Sequence, residues 1–397
     1  MAILWRLSLF QILIFILTFN IEFSLAQAQD SPECLEVTQS QTPSEIIDIA
    51  SNIIVGYRST GTFKPVVILN SHNLTSASSP IELQYSEHDL VSRYTVVELS
   101  PDHQKILQIF SDDTNDLLLR VSGVAEDNIV STEIGGIRDT SVAPRWLNSQ
   151  AILIGTNRSE ASIYSYTTLS LENMAIDSIS VDLNSQPIPL THPQLSPDLS
   201  HLVFWGRENG ARRIYVFSNT ILVSTSVFDE ATSVIDLQWS PQGNYIDFFS
   251  GFNDSLLPQH ATVISRDGEL IFTRELSYGD PVAFPRNTEI VWSPDERFIA
   301  YQNQTTTFRG QTGLRTSIIE IESQKVLDIC IPGNLFWSPD SQYGAIFLRT
   351  PSSSSPPNEV IGLFVIDINS QEIYEIPIDN MDDIGLEVGW FDLMLDA

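Results

Sequence analysis

Three arginines surround a predicted turn, and their chemistry suits the binding of carboxylates. Arg207, Arg212 and Arg213 flank Glu208-Asn209-Gly210, in which Asn-Gly is a strong signal for a tight hairpin between two strands. The planar guanidinium group binds carboxylates through paired N–H groups, and arginine is enriched at protein interfaces. These three residues are therefore a candidate site for a protein or peptide partner. The alternative is that they only keep the hairpin soluble.

Two acidic segments contain enough oxygen ligands to hold Ca²⁺. They are residues 111–116 (Ser-Asp-Asp-Thr-Asn-Asp) and 378–383 (Ile-Asp-Asn-Met-Asp-Asp). Neither segment matches an EF-hand loop, which has a glycine at its sixth position and a glutamate at its twelfth. A weak Ca²⁺ site and a solvated acidic turn both remain open, and no other cofactor or metal is predicted.

Four further aspartates occupy the same position of a recurring Ser-Pro-Asp phrase. They are Asp102, Asp198, Asp295 and Asp340. A ring of carboxylates would be one interpretation. Short polar side chains in a turn, however, accept hydrogen bonds from the local backbone N–H groups. We expect these aspartates to be structural and to be distributed around the molecule.

No motif for catalysis is found in the sequence. It contains no Gly-x-Ser-x-Gly elbow, no His-Glu-x-x-His, no phosphate-binding loop and no Gly-x-Gly-x-x-Gly. The six histidines show no metal-ligand spacing. No catalytic residue is predicted, and whether the protein is an enzyme stays open.

A repeated sequence pattern predicts the strands and turns that position these residues. An apolar run ends in Trp or Leu, a Ser-Pro-Asp turn follows, and an alternating apolar run leaves. Ser, Pro and Asp at the first three positions suit a type I turn. The anchor residues are Leu99, Trp146, Leu195, Trp239, Trp292 and Trp337, with successive spacings of 47, 49, 44, 53 and 45 residues. The copy after Trp146, Leu147-Asn148-Ser149, is degenerate and lacks the proline, and the copy after Trp239 has Gln242 in place of the aspartate. A period of about 40–50 residues with four short strands per unit predicts a β-propeller.

The repeat resembles the TolB-type, WD-like propeller repeat. The residues that carry this resemblance are Trp292-Ser293-Pro294-Asp295 and its copies, together with third strands such as Arg213-Ile214-Tyr215-Val216-Phe217. Related repeats occur in TolB and in the propeller domains of prolyl oligopeptidase-like and dipeptidyl peptidase-like enzymes. The resemblance covers residues 90 to 397 and implies an all-β propeller of four-stranded blades. It implies little about function, because one fold supports many functions.

A seventh anchor indicates how the ring closes. Trp390 lies 53 residues after Trp337, and too few residues follow it for a full blade. We predict a composite blade, built from this C-terminal segment and from strands near Val66 and Ile81. The prediction is therefore seven blades, with residues 29–90 contributing to the last blade and residues 91–397 forming the repeats. Six blades with an N-terminal appendage are the alternative.

The first 28 residues have the pattern of a secretory signal peptide. A short segment containing Arg6 precedes an apolar run from Leu7 to Phe19, and small residues precede a cleavage site after Ala28. An uncleaved membrane anchor is the alternative. No later apolar stretch is long enough to span a bilayer, so no transmembrane segment is expected after cleavage. The sequence thus predicts an exported protein.

Charge and cysteine content restrict the partners and the compartment. The formal net charge is −30, which disfavours nucleic acid as a partner. The two cysteines, Cys34 and Cys330, are predicted to form a disulfide, as pairs in exported proteins often do. Loop entropy limits its contribution to stability to roughly 5 kcal/mol.

The functional prediction is a binding role. We expect an exported, non-enzymatic and monomeric propeller that binds a protein or peptide partner through one of its loop faces. The alternatives are a hydrolase or lyase centred on the channel of the propeller, and a structural or sensor domain of the cell envelope. Channel sites gather polar residues from several blades, and sequence alone does not reveal such convergence.

Overall fold

Antiparallel strands and the turns between them build most of the described part of the chain. The computed structural model describes residues 34–37, 46, 53–59, 62–68, 81–82, 96–111, 117–125, 128–137, 144–158, 163–183, 188–189, 193–208, 211–218, 221–227, 234–252, 258–276, 290–349, 360–376 and 384–390. Within these ranges, no helix has the length and apolar character needed to cross a bilayer.

The strands are numbered in chain order. Three precede the repeats: β1 (Ile53–Ser59), β2 (Thr62–Ile68) and β3 (Ile81–Glu82). Blade 1 contains β4 (Val96–Leu99), β5 (Lys105–Ser111), β6 (Leu117–Ala125) and β7 (Asn128–Ile137). Blade 2 contains β8 (Arg145–Asn148), β9 (Ala151–Arg158), β10 (Ile163–Ser170) and β11 (Ile176–Asp182). Blade 3 contains β12 (Ile188–Pro189), β13 (Gln194–Leu195), β14 (His201–Glu208), β15 (Ala211–Ser218) and β16 (Ile221–Val227).

The remaining strands continue the same order. Blade 4 contains β17 (Val234–Trp239), β18 (Tyr245–Phe252), β19 (Pro258–Ser265) and β20 (Leu270–Glu275). Blade 5 contains β21 (Val291–Trp292), β22 (Phe298–Phe308), β23 (Gln311–Glu320) and β24 (Val326–Pro332). Blade 6 contains β25 (Leu335–Trp337), β26 (Tyr343–Arg349), β27 (Val360–Asp367) and β28 (Glu372–Ile376), and the last strand is β29 (Ile384–Trp390).

Each blade is a meander of consecutive antiparallel strands, as the predicted propeller requires. In blade 3 the first strand is split, and both β12 and β13 pair with β14. Because neighbouring strands are antiparallel, the turns after the first and third strands emerge on one side of the ring, which we call the turn face. The hairpins after the second strands and the blade-to-blade connections emerge on the other side, the hairpin face.

In the part of the chain that the structure describes, six blades are built from consecutive strands, one fewer than the seven blades predicted. The remaining anchor, Trp390, ends β29, and β29 pairs with β1 rather than with a strand that follows it. The sheet continues through β2 to β3. N-terminal and C-terminal strands therefore share one four-stranded sheet.

The core lies between neighbouring blades. Among the described residues, each of five apolar clusters draws its members from two consecutive blades. Between blades 5 and 6, for example, Ile318 and Ile329 pack with Ile346 and Phe364, and all four side chains are almost fully buried. Burial of apolar surface between blades stabilises the ring as a unit.

The Ser-Pro-Asp phrases form the predicted turns, and their aspartates act as local caps. In four of the turns the serine Oγ donates to the aspartate Oδ1 at 2.5–2.7 Å. The same Oγ accepts the N–H of the residue five positions later at 2.9 Å. The N–H three residues after the serine donates to the serine carbonyl at 2.8–2.9 Å, as in a type I turn. The aspartates are thus structural.

The residue after each turn adopts a left-handed backbone conformation. His103, Leu199, Glu296 and Ser341 have φ between 59° and 62°, and Gly243 has φ of 76°. Only one of the five is a glycine, although this region costs other residues roughly 1 kcal/mol. The hydrogen bonds of the turn therefore impose the conformation.

Gly243 is the position at which a side chain is expected to be harmful. A Cβ there would lie 3.0 Å from Pro197 Cδ and 3.1 Å from Arg266 Nη2. We expect Gly243→Ala to lower the free energy of unfolding by about 1–2 kcal/mol more than Gly310→Ala does. Gly310 is the matched control, because its φ of 79° is similar and a Cβ there would meet nothing within 4 Å. Chemical denaturation of both variants measures the difference, and equal losses would show that the contact with Pro197 costs nothing.

Candidate functional site

A cavity of about 380 Å³ opens at the centre of the turn face. Its lining comes from the first strands of blades 1 to 5 and from the turns that follow them. The rim carries the prolines of four turns: Pro101, Pro197, Pro241 and Pro294. The wall includes the indoles of Trp146, Trp239 and Trp292. The first strands and turns of five blades thus enclose a ligand-sized cavity.

The anchor tryptophans fasten neighbouring first strands to one another. The indole Nε1 of Trp146 donates to the carbonyl of Glu98 at 3.2 Å, and that of Trp239 donates to the carbonyl of Gln194 at 3.1 Å. Glu98 and Gln194 each precede the anchor of the preceding blade. In both cases the residue directly before an anchor provides the backbone carbonyl that accepts the indole N–H from the next blade.

The residues directly before three of the anchors also provide polar side chains that line the cavity. Glu98, Arg145 and Gln238 precede Leu99, Trp146 and Trp239, and all three line the cavity. Val291, which precedes Trp292, lines it as well. The cavity thus has one carboxylate, one guanidinium and one amide at equivalent positions of three blades, and an apolar side chain at that of a fourth.

Arg145 is the cation of the cavity. Its Nη2 donates to Gln194 Oε1 in the next blade. Its Nε is buried and has no acceptor among the described residues. Burial lowers the pKa of the Arg145 guanidinium below its usual value, and the charge of Glu98 opposes this shift. The side chain is therefore a partly desolvated cation whose donors are not all used.

Gln238 belongs to a buried polar network behind the cavity wall. Its Nε2 donates to Asp247 Oδ1 at 3.1 Å and to the carbonyl of Ile290 at 2.9 Å. The other carboxylate oxygen of Asp247 accepts the indole N–H of Trp292 at 2.5 Å. Asp247 is 1% exposed, so this carboxylate is held entirely by protein donors. The network fixes the orientation of the Gln238 amide.

Hydrogen bonds between blades hold the turns around the cavity. The N–H of Asp102 donates to Ser149 Oγ and that of Asp295 donates to Ser341 Oγ, both at 3.1 Å. Glu296 occupies the position that corresponds to Ser341, and its carboxylate accepts the N–H of Gln242 from the turn of the preceding blade at 2.6 Å. The rim of the cavity is thus formed by turns that are bonded to their neighbours.

The arginines predicted as a partner site lie elsewhere. Arg207 pairs with Arg212 across β14 and β15, and Arg213 pairs with Gly206. The hairpin joins the second and third strands of blade 3, so it lies on the hairpin face, away from the cavity. Arg213 is half-buried, whereas the side chains of Arg207 and Arg212 lie outside the described residues.

The metal-binding hypothesis concerns segments that the structure does not describe. Residues 112–116 and 377–383 lie outside the described ranges. Within those ranges no group of three or more Asp, Glu, His or Cys residues could hold a metal ion. The residues that sequence reasoning missed are instead Glu98, Arg145 and Gln238. Their signal is positional, since each directly precedes an anchor.

Fold and site together define a β-propeller with a cavity in its turn face, mostly apolar and carrying a few polar side chains. No family model and no curated protein sequence matches the chain. Several solved structures are similar to it in fold, TolB propellers among them.

The periplasmic gluconolactonase of Pseudomonas aeruginosa has 12% identity and a TM-score of 0.45, over 86% of this chain and 97% of that one. TolB from Acinetobacter baumannii has 14% identity and a TM-score of 0.35, over 88% and 86%. Oligogalacturonate lyase from Vibrio parahaemolyticus has 12% identity and a TM-score of 0.43, over 88% and 87%. At these values the similarities carry no information about the function of this chain.

Proposed function

We propose that the protein is an exported, non-enzymatic propeller that binds a protein or peptide partner at its turn face, through the central cavity. The observation that carries this proposal is the cavity of about 380 Å³, with its lining drawn from five blades. Cavities of roughly 300–1,000 Å³ with a few placed polar groups are typical ligand sites. A protruding segment of a partner chain would fit such a cavity.

The rigidity of the rim supports a binding role. The rim turns are held by internal hydrogen bonds and by bonds between blades. A surface that is already ordered loses little conformational entropy when a partner binds. Proline and indole surfaces would contact the apolar parts of a peptide, and Arg145, Glu98 and Gln238 would contact its polar groups. The net charge of −30 disfavours nucleic acid.

Export is supported by two separate features. Residues 1–28 have the pattern of a signal peptide. Cys34 and Cys330 form a disulfide with Cα atoms 5.2 Å apart, and disulfides persist mainly in oxidising compartments. We therefore propose that residues 29–397 are the mature chain and that it acts as a monomer outside the cytoplasm.

We further propose that the sheet of β29, β1, β2 and β3 closes the ring as a composite seventh blade. The support is that β29 contacts both β25 and β4, the first strands of blades 6 and 1. A strand in this position would fill the gap between the last and first repeats.

A channel-centred enzyme remains the second candidate function, and one observation favours it. Glu98 and His103 line the same cavity as Arg145. A carboxylate and an imidazole are the groups that most often transfer protons in enzymes, and a guanidinium would bind an anionic substrate. Loss of a hydrolytic or eliminative activity in Glu98→Gln, with binding retained, would establish this function.

A photo-crosslinking experiment tests the binding role. A benzophenone amino acid is placed at Leu199 or at Ile361 of the full-length protein in the cells that produce it. The two side chains are matched, since each is 37% exposed. Leu199 lies in a turn of the turn face, whereas Ile361 lies at the start of β27 on the hairpin face. We expect one discrete partner adduct from Leu199 and none from Ile361.

The other outcomes contradict the proposal. Adducts from Ile361 alone would place the interaction on the hairpin face, where Arg207, Arg212 and Arg213 remain candidate contacts. An absence of adducts from both positions would remove the support for a protein partner and shift weight to the enzyme.

A further inference from the structure

We infer that Arg145 receives a carboxylate that the partner inserts into the central cavity. This inference rests on the proposed function, because it names the chemistry by which the turn face would recognise its partner. The guanidinium lines the cavity, one of its arms donates to Gln194, and its Nε has no acceptor among the described residues. The Nε itself is buried, so an oxygen of a ligand in the cavity would accept from the guanidinium N–H groups that the bond to Gln194 leaves over.

The partly desolvated guanidinium of Arg145 favours an anionic group as its neighbour. Desolvation is the largest influence on Arg145 and lowers its pKa, and the charge of Glu98 only opposes that influence. A buried cation is stabilised when its N–H groups meet a matched acceptor, and leaving them unmatched is costly. A carboxylate matches the guanidinium fork better than a neutral carbonyl does, because two oxygens can accept parallel hydrogen bonds.

The amide of Gln238 indicates what lies next to that carboxylate. Both hydrogens of its Nε2 are used, one by Asp247 and the other by the carbonyl of Ile290. Gln238 Oε1 is therefore the atom that can meet a ligand, and it is an acceptor. It would receive an N–H donor. A peptide offers this combination, with a carboxylate and a backbone N–H within one residue of each other.

Two sources could present a peptide carboxylate, namely a C-terminus and an acidic side chain. The probes are three pools of N-acetylated tetrapeptides that end in glycine and are randomised at every position that is not fixed. One pool has a free C-terminal carboxylate, the second is amidated, and the third is amidated with glutamate fixed at its second position. Frontal affinity chromatography on the immobilised, disulfide-bonded protein measures their retention. Preference for the first pool identifies a C-terminus, and preference for the third identifies a side chain.

Substitutions then test the role of Arg145. We expect Arg145→Gln to weaken retention of the preferred pool by about tenfold or more, since a charge-assisted pair is lost. Arg297→Gln is the matched control, because Arg297 belongs to the blade 5 turn on the same face, does not line the cavity, and has a side chain that is 60% exposed. It should leave retention unchanged. The unfolding midpoint of each variant reports whether it is folded.

If Arg145→Gln does not fold, a second variant tests whether Arg145 binds the carboxylate. Val291→Glu leaves Arg145 in place and adds a competing carboxylate to the lining, so retention of the preferred pool should fall by a similar factor. Equal retention of the carboxylate and amide pools, or retention that survives both variants, would overturn the inference. A partner adduct at Leu199 that persists in Arg145→Gln would leave the binding role intact while refuting the carboxylate.

Discussion

Replacement of both Cys34 and Cys330 by serine is expected to lower the free energy of unfolding by about 2–5 kcal/mol. The disulfide joins residues 296 positions apart, so it restricts a very large loop of the unfolded chain. The entropic contribution of a disulfide grows with the length of the loop that it closes. Its Cα–Cα distance of 5.2 Å lies within the usual range, so the native fold accommodates the bond without backbone movement.

The disulfide also holds an N-terminal segment against blade 5. The N–H of Leu35 donates to the carbonyl of Asp328 at 2.8 Å, and the N–H of Cys330 donates to the carbonyl of Leu35 at 3.0 Å. Leu35 and Val37 pack on the apolar cluster between blades 5 and 6. The segment thus covers the outer edge of β24, which would otherwise present free backbone groups to other chains.

The measurement is equilibrium denaturation of the oxidised protein and of the double variant. Wild-type protein reduced with dithiothreitol should unfold at the same midpoint as the variant, because both lack the cross-link. Leu35→Ala is the companion variant, since it removes packing and keeps the bond. If it alone reproduced the loss, the segment and not the cross-link would be the stabilising feature. An unchanged midpoint in the double variant would refute the prediction.

Local chemistry explains which parts of the fold could be predicted from the sequence. The Ser-Pro-Asp turn is specified within six residues, because serine, proline and aspartate each satisfy a requirement of the same turn. The recurrence of the anchor residues at intervals of 44 to 53 residues predicts blades without any knowledge of contacts. The disulfide was predictable for a different reason, as an exported chain with two cysteines has one possible pair.

The cavity could not be predicted in the same way. The residues before the anchors of blades 1 to 5 are Glu98, Arg145, Gln194, Gln238 and Val291, and no residue type is common to all five. They come together only because the ring closes and brings the first strands of several blades to one axis. No motif records such a convergence. The three arginines of blade 3 were the more visible signal in the sequence, and the structure places them on the opposite face.

The burial of the Asp247 carboxylate could not be predicted from the sequence either. It occupies the third position of Tyr245-Ile246-Asp247-Phe248-Phe249, where a polar residue between apolar ones is the normal pattern of a strand with one exposed face. In the structure Asp247 faces the protein interior and meets Trp292 and Gln238. Its partners belong to other strands, so the sequence pattern alone gives no indication of its burial.

This network leads us to expect unequal effects of two similar substitutions. Trp292→Phe should lower the free energy of unfolding by about 2–3 kcal/mol, and Trp337→Phe by about 1 kcal/mol. The two anchors are well matched. Each is buried. Each also stacks on the aromatic ring that begins the second strand of the preceding blade. The ring centroids are 5.3 Å apart for Trp292 and Tyr245, and 5.8 Å apart for Trp337 and Phe298.

What distinguishes the two anchors is the acceptor of the indole N–H. Trp337 donates to the backbone carbonyl of Val291 at 3.1 Å, whereas Trp292 donates to the Asp247 carboxylate at 2.5 Å. Loss of a donor costs more at a buried charge than at a neutral carbonyl, because the charge loses more solvation on burial.

Denaturation midpoints of the two variants test this difference, and a double-mutant cycle tests its cause. Adding Asp247→Asn to Trp292→Phe removes the charge that lacks its donor, so the double variant should be more stable than the sum of the two single losses predicts, by about 1 kcal/mol. Strict additivity, or equal losses in Trp292→Phe and Trp337→Phe, would mean that the carboxylate does not depend on the indole. The hydrogen bond of Trp292 to Asp247 would then contribute no more than that of Trp337 to the carbonyl of Val291.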